Sequence, residues 1–174
     1  MEAFDSVVVG GGPAGLSFAW RLASRGFSVV VVDDRVPANS GKLCGGYVPL
    51  SVFEEFDIPR SLGVQRVSGV VIVSRSDVWD VDLGDTVGFN VERDRLAGFL
   101  ADRVKGEGGV VVEGCRISGF EVSGSGVVAY GCGRVFRGRV LVGADGAYSR
   151  IGAYVRGGFR RDELGLAAQA RVRS

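Results

Sequence analysis

Histidine is absent from this 174-residue chain, and lysine occurs only at Lys42 and Lys105, so 19 of its 21 basic residues are arginine. Chemistry that needs an imidazole base or a histidine metal ligand is therefore excluded within the chain. Cysteine is scarce too: Cys44, Cys115 and Cys132 are an odd set with no CxxC pair. That usage argues against a disulfide framework and against a zinc site, and it fits a reducing cytoplasm. Charge of one sign is also lacking. With a net charge of +1 and scattered arginines, neither nucleic acid nor an anionic membrane is an expected partner. No apolar run approaches the roughly 20 residues of a spanning helix, and the opening MEAFD carries acids where a secretory signal would be basic. Membrane contact is expected to be peripheral at most.

What the chain has in quantity is apolar residues, 46%, and glycine, 29 residues. That composition describes a soluble globular protein of one ordinary domain with a sizeable core. The fold class expected is α/β. Val7 to Val9 and Val29 to Val32 are continuous β-branched runs, as buried parallel strands require. Between them Pro13 to Ser24 reads as a helix whose apolar residues nearly encircle it, which predicts packing between the sheet and another layer, with Gly26 as its cap.

Residues 34 to 47 have loop composition, and Leu50 to Phe56 suggests a short helix before Pro59. Residues 67–74 and 78–83 read as an antiparallel pair joined by the turn 75–77. Leu96, Phe99, Leu100 and Val104 fall at helical spacing with Gly106 as a stop, and residues 109–142 give four or five short strands in a meander. Ala147 to Val155 opens a third helix, cysteines 115 and 132 are assigned to strand packing, and the final GLAAQARVRS has no defined reading.

GGGPAG at positions 10 to 15 satisfies GxGxxG through Gly10, Gly12 and Gly15, and Asp33 ends the following strand. The pattern alone is weak in a glycine-rich chain. Strand, glycine turn, helix, strand and acid in this order are the dinucleotide fingerprint. Gly10 permits the tight turn, Gly12 the approach of a pyrophosphate, and Gly15 close helix packing; the helix start supplies unpaired amides and a partial positive charge. Pro13 costs little at the first helical position. Asp33 can accept ribose hydroxyls, and would repel a 2′-phosphate unless Arg35 compensated. LVGADGAYSRIG (141–152) places Asp145 and Gly146 at the carboxyl end of a further strand, the edge where open α/β sheets bind ligands, although an Asp-Gly there also suits a plain turn.

GGGPAG with Asp33, then VERDRLAGFL, then GADGAYSR resembles the FAD-dependent oxidoreductases of the glutathione-reductase-like superfamily, in the branch of aromatic hydroxylases, halogenases and geranylgeranyl reductases. KLCGGY is similar to the corresponding cysteine loop of the geranylgeranyl reductases in particular. The resemblance implies a Rossmann-like FAD-binding domain with a parallel sheet, a β-meander and a partial antiparallel substrate sheet, the last supplied by residues 67–91 inserted in a domain spanning 1–174. It further implies that Gly10, Gly12, Ala14 and Gly15 lie along the FAD pyrophosphate and Asp33 on the adenosine ribose, with Pro13 and Asp34 in the same cofactor-binding set. Cys44, Gly45 and Tyr47 would line the flavin end, Arg93 would reach the phosphate or ribityl region, Ile117 the adenine edge, and Asp145 with Gly146 the cofactor channel.

Cys44 is the candidate catalytic residue. Three neighbouring glycines let the backbone approach a flat ring, and a thiol can touch a flavin or an alkene without blocking either. Lys42 either lowers the thiol's pKa or is simply solvated. The activity implied is reduction of isoprenoid carbon–carbon double bonds, with an isoprenoid lipid as substrate, NAD(P)H or a ferredoxin-like protein as electron donor, and no metal. The later Gly-Asp-Ala-type motif and aromatic-rich segment of that family are missing, so the chain reads as its N-terminal part: a fragment, a truncated gene product, or one piece of a split protein that a second polypeptide completes. The competing readings are an NADPH-dependent flavin monooxygenase, a non-catalytic FAD-binding module, and an NAD-dependent dehydrogenase that would leave Arg93 and GADG unassigned.

Overall fold

The computed structural model describes residues 3–163 and 165. The chain divides into two compact units, Met1–Gly41 with Ala97–Ser174, and Lys42–Leu96.

The first unit is built on the strands β1 (Ala3–Val9), β2 (Val29–Val32), β8 (Val110–Val112), β9 (Ile117–Ser123), β10 (Gly126–Gly131) and β11 (Arg134–Gly143), ordered β8-β2-β1-β11-β10-β9. The first four of that order are mutually parallel, and β9, β10 and β11 run antiparallel as the meander. The strand β11 belongs to both halves: its start pairs with β10 and its length with β1, from Ala3 opposite Arg137 to Val9 opposite Gly143. The two runs RVFRG and VLVG are therefore one strand, and Gly138 within it lies so close to β1 that an added Cβ would come 2.9 Å from the Val7 side chain. Alternation then separates the faces. Val7, Val30 and Val32 pack with Cys115, Ala129 and Phe136 under the meander. Helix α1 (Pro13–Ala23) covers part of the sheet with Leu16, Ala19, Trp20 and Ala23 buried.

Phe18, 41% exposed, does not contribute to packing of α1 against a second layer: it borders a cavity with Asp5, Ser6, Arg139 and Val140 of the sheet. Trp20 instead meets helix α3 (Arg93–Gly106) through the Arg103 guanidinium, 4.3 Å above the indole ring. Gly26 does terminate α1, with φ +81° and its amide donating to the Ala23 carbonyl.

The second unit holds β3 (Tyr47–Pro49), helix α2 (Leu50–Glu55), β4 (Gly63–Val67), and β7 (Gly88–Val91) in a three-stranded antiparallel sheet ordered β3-β7-β4. Phe53 and Phe89 pack with centroids 5.1 Å apart to form its small core. The strands β5 (Gly69–Val73) and β6 (Val78–Asp82) make the expected hairpin, paired among the described residues only with each other. Helix α4 (Arg150–Arg156) is shorter than expected because Ser149 caps it, accepting from the Gly152 amide at 2.7 Å. The last stretch of the sequence, from 166 onward, lies outside the described residues.

The cysteines require a correction. Cys115 and Cys132 form a disulfide with Cα atoms 5.5 Å apart, and neither lies in a strand. Cys115 follows β8 and Cys132 occupies the β10–β11 turn at φ +47°. Distance in sequence hid the pair: 17 residues separate them, and only the antiparallel return of β10 brings them together. Closing a loop of that size stabilises the fold by about 3 kcal/mol through the unfolded chain.

Candidate dinucleotide site

Three loops converge at the carboxyl ends of three adjacent parallel strands. The chain leaves β1 into Gly10–Gly12, β2 into Asp33, and β11 into Ala144–Gly146, with Val9, Val32 and Gly143 in register across the sheet. The Gly10 amide donates to the Val32 carbonyl at 2.9 Å, and the Ala144 amide to the Val9 carbonyl at 2.8 Å, so each loop begins as an extension of its neighbour's ladder. Segments more than 130 residues apart thus share one edge.

The glycines are dictated by contact. Gly10 has φ +109°, and a Cβ there would overlap the Ala144 carbonyl. At Gly15 a Cβ would overlap the Gly10 carbonyl and sit 3.2 Å from the Ala144 Cβ, so α1 can start this close to the sheet only without a side chain. Gly12 is the N-cap of α1 and Pro13 its first residue; no side chain caps this end, which leaves the amides of Gly12, Ala14 and Gly15 directed outward with the positive pole of the helix.

Asp33 is 7% exposed. One carboxylate oxygen accepts the Gly11 amide and the other the Arg35 amide at 2.8 Å. The carboxylate has about four lone-pair positions, so two remain for ligand hydroxyls. The Arg35 guanidinium donates to the Ser40 carbonyl at 2.6 Å and approaches Asp34 at 3.9 Å. Asp34 also pairs with Arg116 at 3.5 Å and is half-exposed. The Gly11–Asp33 link was not legible in the sequence, since the fingerprint assigns Asp33 to the ligand alone.

Asp145 is anchored by α4, accepting the Ser149 hydroxyl on one oxygen and the Arg150 amide on the other at 2.8 Å. Gly146 follows at φ +87°. Ile117, at the start of β9, lines a small cavity of about 20 Å³ with Val9, Phe120, Asp145, Arg150 and Ile151. Of these, Phe120, Arg150 and the cap Ser149 were missed. Serine just before an amphipathic run was the available signal for the cap.

Cys44, Gly45, Tyr47 and Arg93 belong to the second unit. Cys44 is a free, exposed thiol in a segment without regular structure. That segment is pinned at Gly46, whose carbonyl accepts the Val91 amide at 2.9 Å and where a Cβ would overlap the Val91 carbonyl. Tyr47 donates its hydroxyl to the Val87 carbonyl at 3.2 Å, and Arg93 is the half-buried first residue of α3.

Uncapped amides, a glycine bend closed by backbone contact and an acid held beside it suit the diphosphate and ribose of a dinucleotide, and the cradle fits FAD. The fold is that of the FAD-binding, Rossmann-type oxidoreductases: residues 5–65 match the family described as FAD dependent oxidoreductase, and FAD is the cofactor of that class. Within it, the chain is similar to the geranylgeranyl diphosphate reductase of Oryza sativa, chloroplastic (35% identity over 95% of this chain and 39% of that protein), and to that of Rhodobacter capsulatus (33% over 85% and 39%). Among solved structures, a geranylgeranyl bacteriochlorophyll reductase-like protein from Thermoplasma acidophilum superposes with a TM-score of 0.75 at 26% identity, covering 84% of this chain and 40% of its own. The halogenase PltM, solved with phloroglucinol and FAD, shares the fold with a TM-score of 0.70 at 16% identity over 87% of this chain and 36% of its own. The chain spans about two-fifths of the length of the curated relatives it matches. Among the described residues, no helix is long and apolar enough to cross a membrane.

Proposed function

We propose that this chain is the FAD-binding portion of a reductase that saturates carbon–carbon double bonds of an isoprenoid lipid. Bound reduced FAD supplies a hydride for that reaction, and a proton completes it. The observation that carries the reading is the convergence of the Gly10–Gly12, Asp33 and Ala144–Gly146 loops on one sheet edge, in a chain similar over 95% of its length to a geranylgeranyl diphosphate reductase.

In this reading the amides of Gly12, Ala14 and Gly15 bind the diphosphate at the start of α1, beside Pro13, and the Asp33 carboxylate orients the adenosine ribose. Asp34 stays beside it in its arginine pairs, Ile117 presents backbone to the adenine, and Asp145 with Gly146 borders the cofactor channel. Gly45 and Tyr47 shape the flavin end, Arg93 pairs with phosphate or the ribityl chain, and Cys44 is the candidate catalytic thiol facing flavin and alkene. The electron donor is NAD(P)H or a ferredoxin-like protein. The location is cytoplasmic, with peripheral membrane contact where the lipid resides.

Residues 67–91 contribute part of a substrate sheet that a further stretch of polypeptide completes. The β5–β6 hairpin supports this: Val70, Ile72, Trp79 and Val81 share one face and are 41–51% exposed. The same observation favours a second reading, a FAD-binding module without turnover of its own. Purified chain charged with FAD and reduced by dithionite separates the two. Reoxidation on adding a geranylgeranyl lipid supports the reductase acting alone; reoxidation only with a second polypeptide supports the module; NADPH-dependent oxygen uptake with an aromatic substrate supports a monooxygenase instead.

A further inference from the structure

The Cys115–Cys132 disulfide has no role in the site described above, yet it closes on the backbone that carries Asp33. The Asp33 amide donates to the Val112 carbonyl at 3.0 Å, and the Asp33 carbonyl accepts the Cys115 amide at 2.8 Å. Arg116, the next residue, pairs with Asp34 at 3.5 Å, and Ile117 after it opens β9 opposite Gly131. Residues 113–116, between β8 and β9, have no regular structure. The contacts that hold them include the Cys115 amide on Asp33, the Arg116–Asp34 and Lys105–Glu113 pairs, and the sulfur bridge to the β10–β11 turn. Cys115 is 2% exposed within the core under the sheet, whereas Cys132 is exposed. Its φ of +47°, with Gly133 at +71°, is that of a two-residue hairpin loop between the paired Gly131 and Arg134, so the turn can keep its shape when the bridge opens.

We propose that Cys115–Cys132 is a reversible redox site for a dithiol reductant, and that its state sets the affinity of the adenosine end of the dinucleotide site. The inference rests on the FAD reading above. A reductant thiolate attacks the sulfur of Cys132, the exposed residue of the pair, and Cys115 leaves as a thiolate and takes a proton. The second reductant thiol then resolves the mixed disulfide, freeing Cys132 as the second thiol and leaving the reductant oxidised by two electrons. A bridge of this kind, reachable on one side, is the sort that opens in a reducing compartment. Opening it loosens residues 113–116, and with them the Cys115 amide bond to Asp33 and the Arg116–Asp34 pair, while the Asp33 amide keeps its bond to Val112 in β8.

The test compares the chain after equilibration with oxidised glutathione and with dithiothreitol. Iodoacetamide alkylation counted by mass, with a glutathione adduct on the exposed Cys44 counted as that thiol, should find one thiol in the first and three in the second. Flavin fluorescence titration should give a Kd for FAD at least about tenfold higher in the reduced form. Cys132→Ser should match the reduced form under both conditions, and oxidised glutathione should restore tight binding to wild type. Amide exchange at Cys115 and Gly11 should quicken on reduction while far-UV circular dichroism stays constant. Three labelled thiols without reductant, equal affinities in the two forms, or collapse of the whole circular dichroism signal on reduction would each overturn the proposal. If neither form binds FAD, the cofactor reading itself fails, and the exchange rates still decide: unchanged rates refute the coupling, faster ones retain it.

Discussion

Val29–Val32 in β2 are each at most 1% exposed, whereas residues 70–73 of β5 are 51–71% exposed, although both runs are four consecutive β-branched residues. The difference lies in partners. The strand β2 sits between β1 and β8 with layers on both faces, while β5 pairs with β6 alone. An isolated two-stranded ribbon cannot bury both faces, so the same composition yields a core in one unit and an apolar surface in the other. The buried strand is also the one that a candidate site residue, Asp33, follows directly.

Substitutions should separate the two regions. The largest effect is expected at Gly10. Gly10→Ala places a Cβ against the Ala144 carbonyl at φ +109°, and should weaken FAD binding at least about a hundredfold, or about 2.7 kcal/mol, in a fluorescence titration. Gly84→Ala, also at positive φ (+77°) but with nothing within 4 Å, should leave FAD affinity unchanged. Next, Val31→Ala should lower unfolding free energy by about 2 kcal/mol in urea, against less than about 0.5 kcal/mol for Val71→Ala; equal losses would break the comparison.

Smaller effects lie at the edges of the first unit. Ser149→Ala removes the α4 cap that also holds Asp145, and should cost about 1 kcal/mol by the same denaturation. Asp5 should give the smallest change. Its carboxylate accepts the Ser28 amide and hydroxyl and pairs with Arg139, and these hold its pKa below the ordinary carboxylate value, the Ser28 amide foremost. A depressed pKa means the contribution is present above the ordinary carboxylate value and is lost as pH falls through the lowered one. Melting temperatures of wild type and Asp5→Asn should therefore differ near neutrality and converge in acid; a constant gap would contradict the assignment.

Much of the first unit was legible because its signals are local. Continuous valines, the glycine turn, Pro13 at N1 and Asp33 follow from backbone sterics within 33 residues, and all of those elements formed as expected. The hairpin at 69–82 was equally readable from its two apolar runs and the polar turn between them. What escaped depends on long-range register. The strand β4 and the fusion of two runs into β11 are set by neighbours distant in sequence, and so is the Cys115–Cys132 bridge. The Gly11–Asp33 bond escaped for a different reason: a fingerprint names residues for a ligand and is silent on how they hold each other beforehand.

The most direct test is a crystal structure of the chain grown with FAD. The expected density has the diphosphate on the amides at the start of α1, with both remaining acceptor positions of Asp33 taken by ribose hydroxyls. A nucleotide bound elsewhere, or an Asp33 that still meets only Gly11 and Arg35 while FAD is present, would contradict the assignment of this sheet edge.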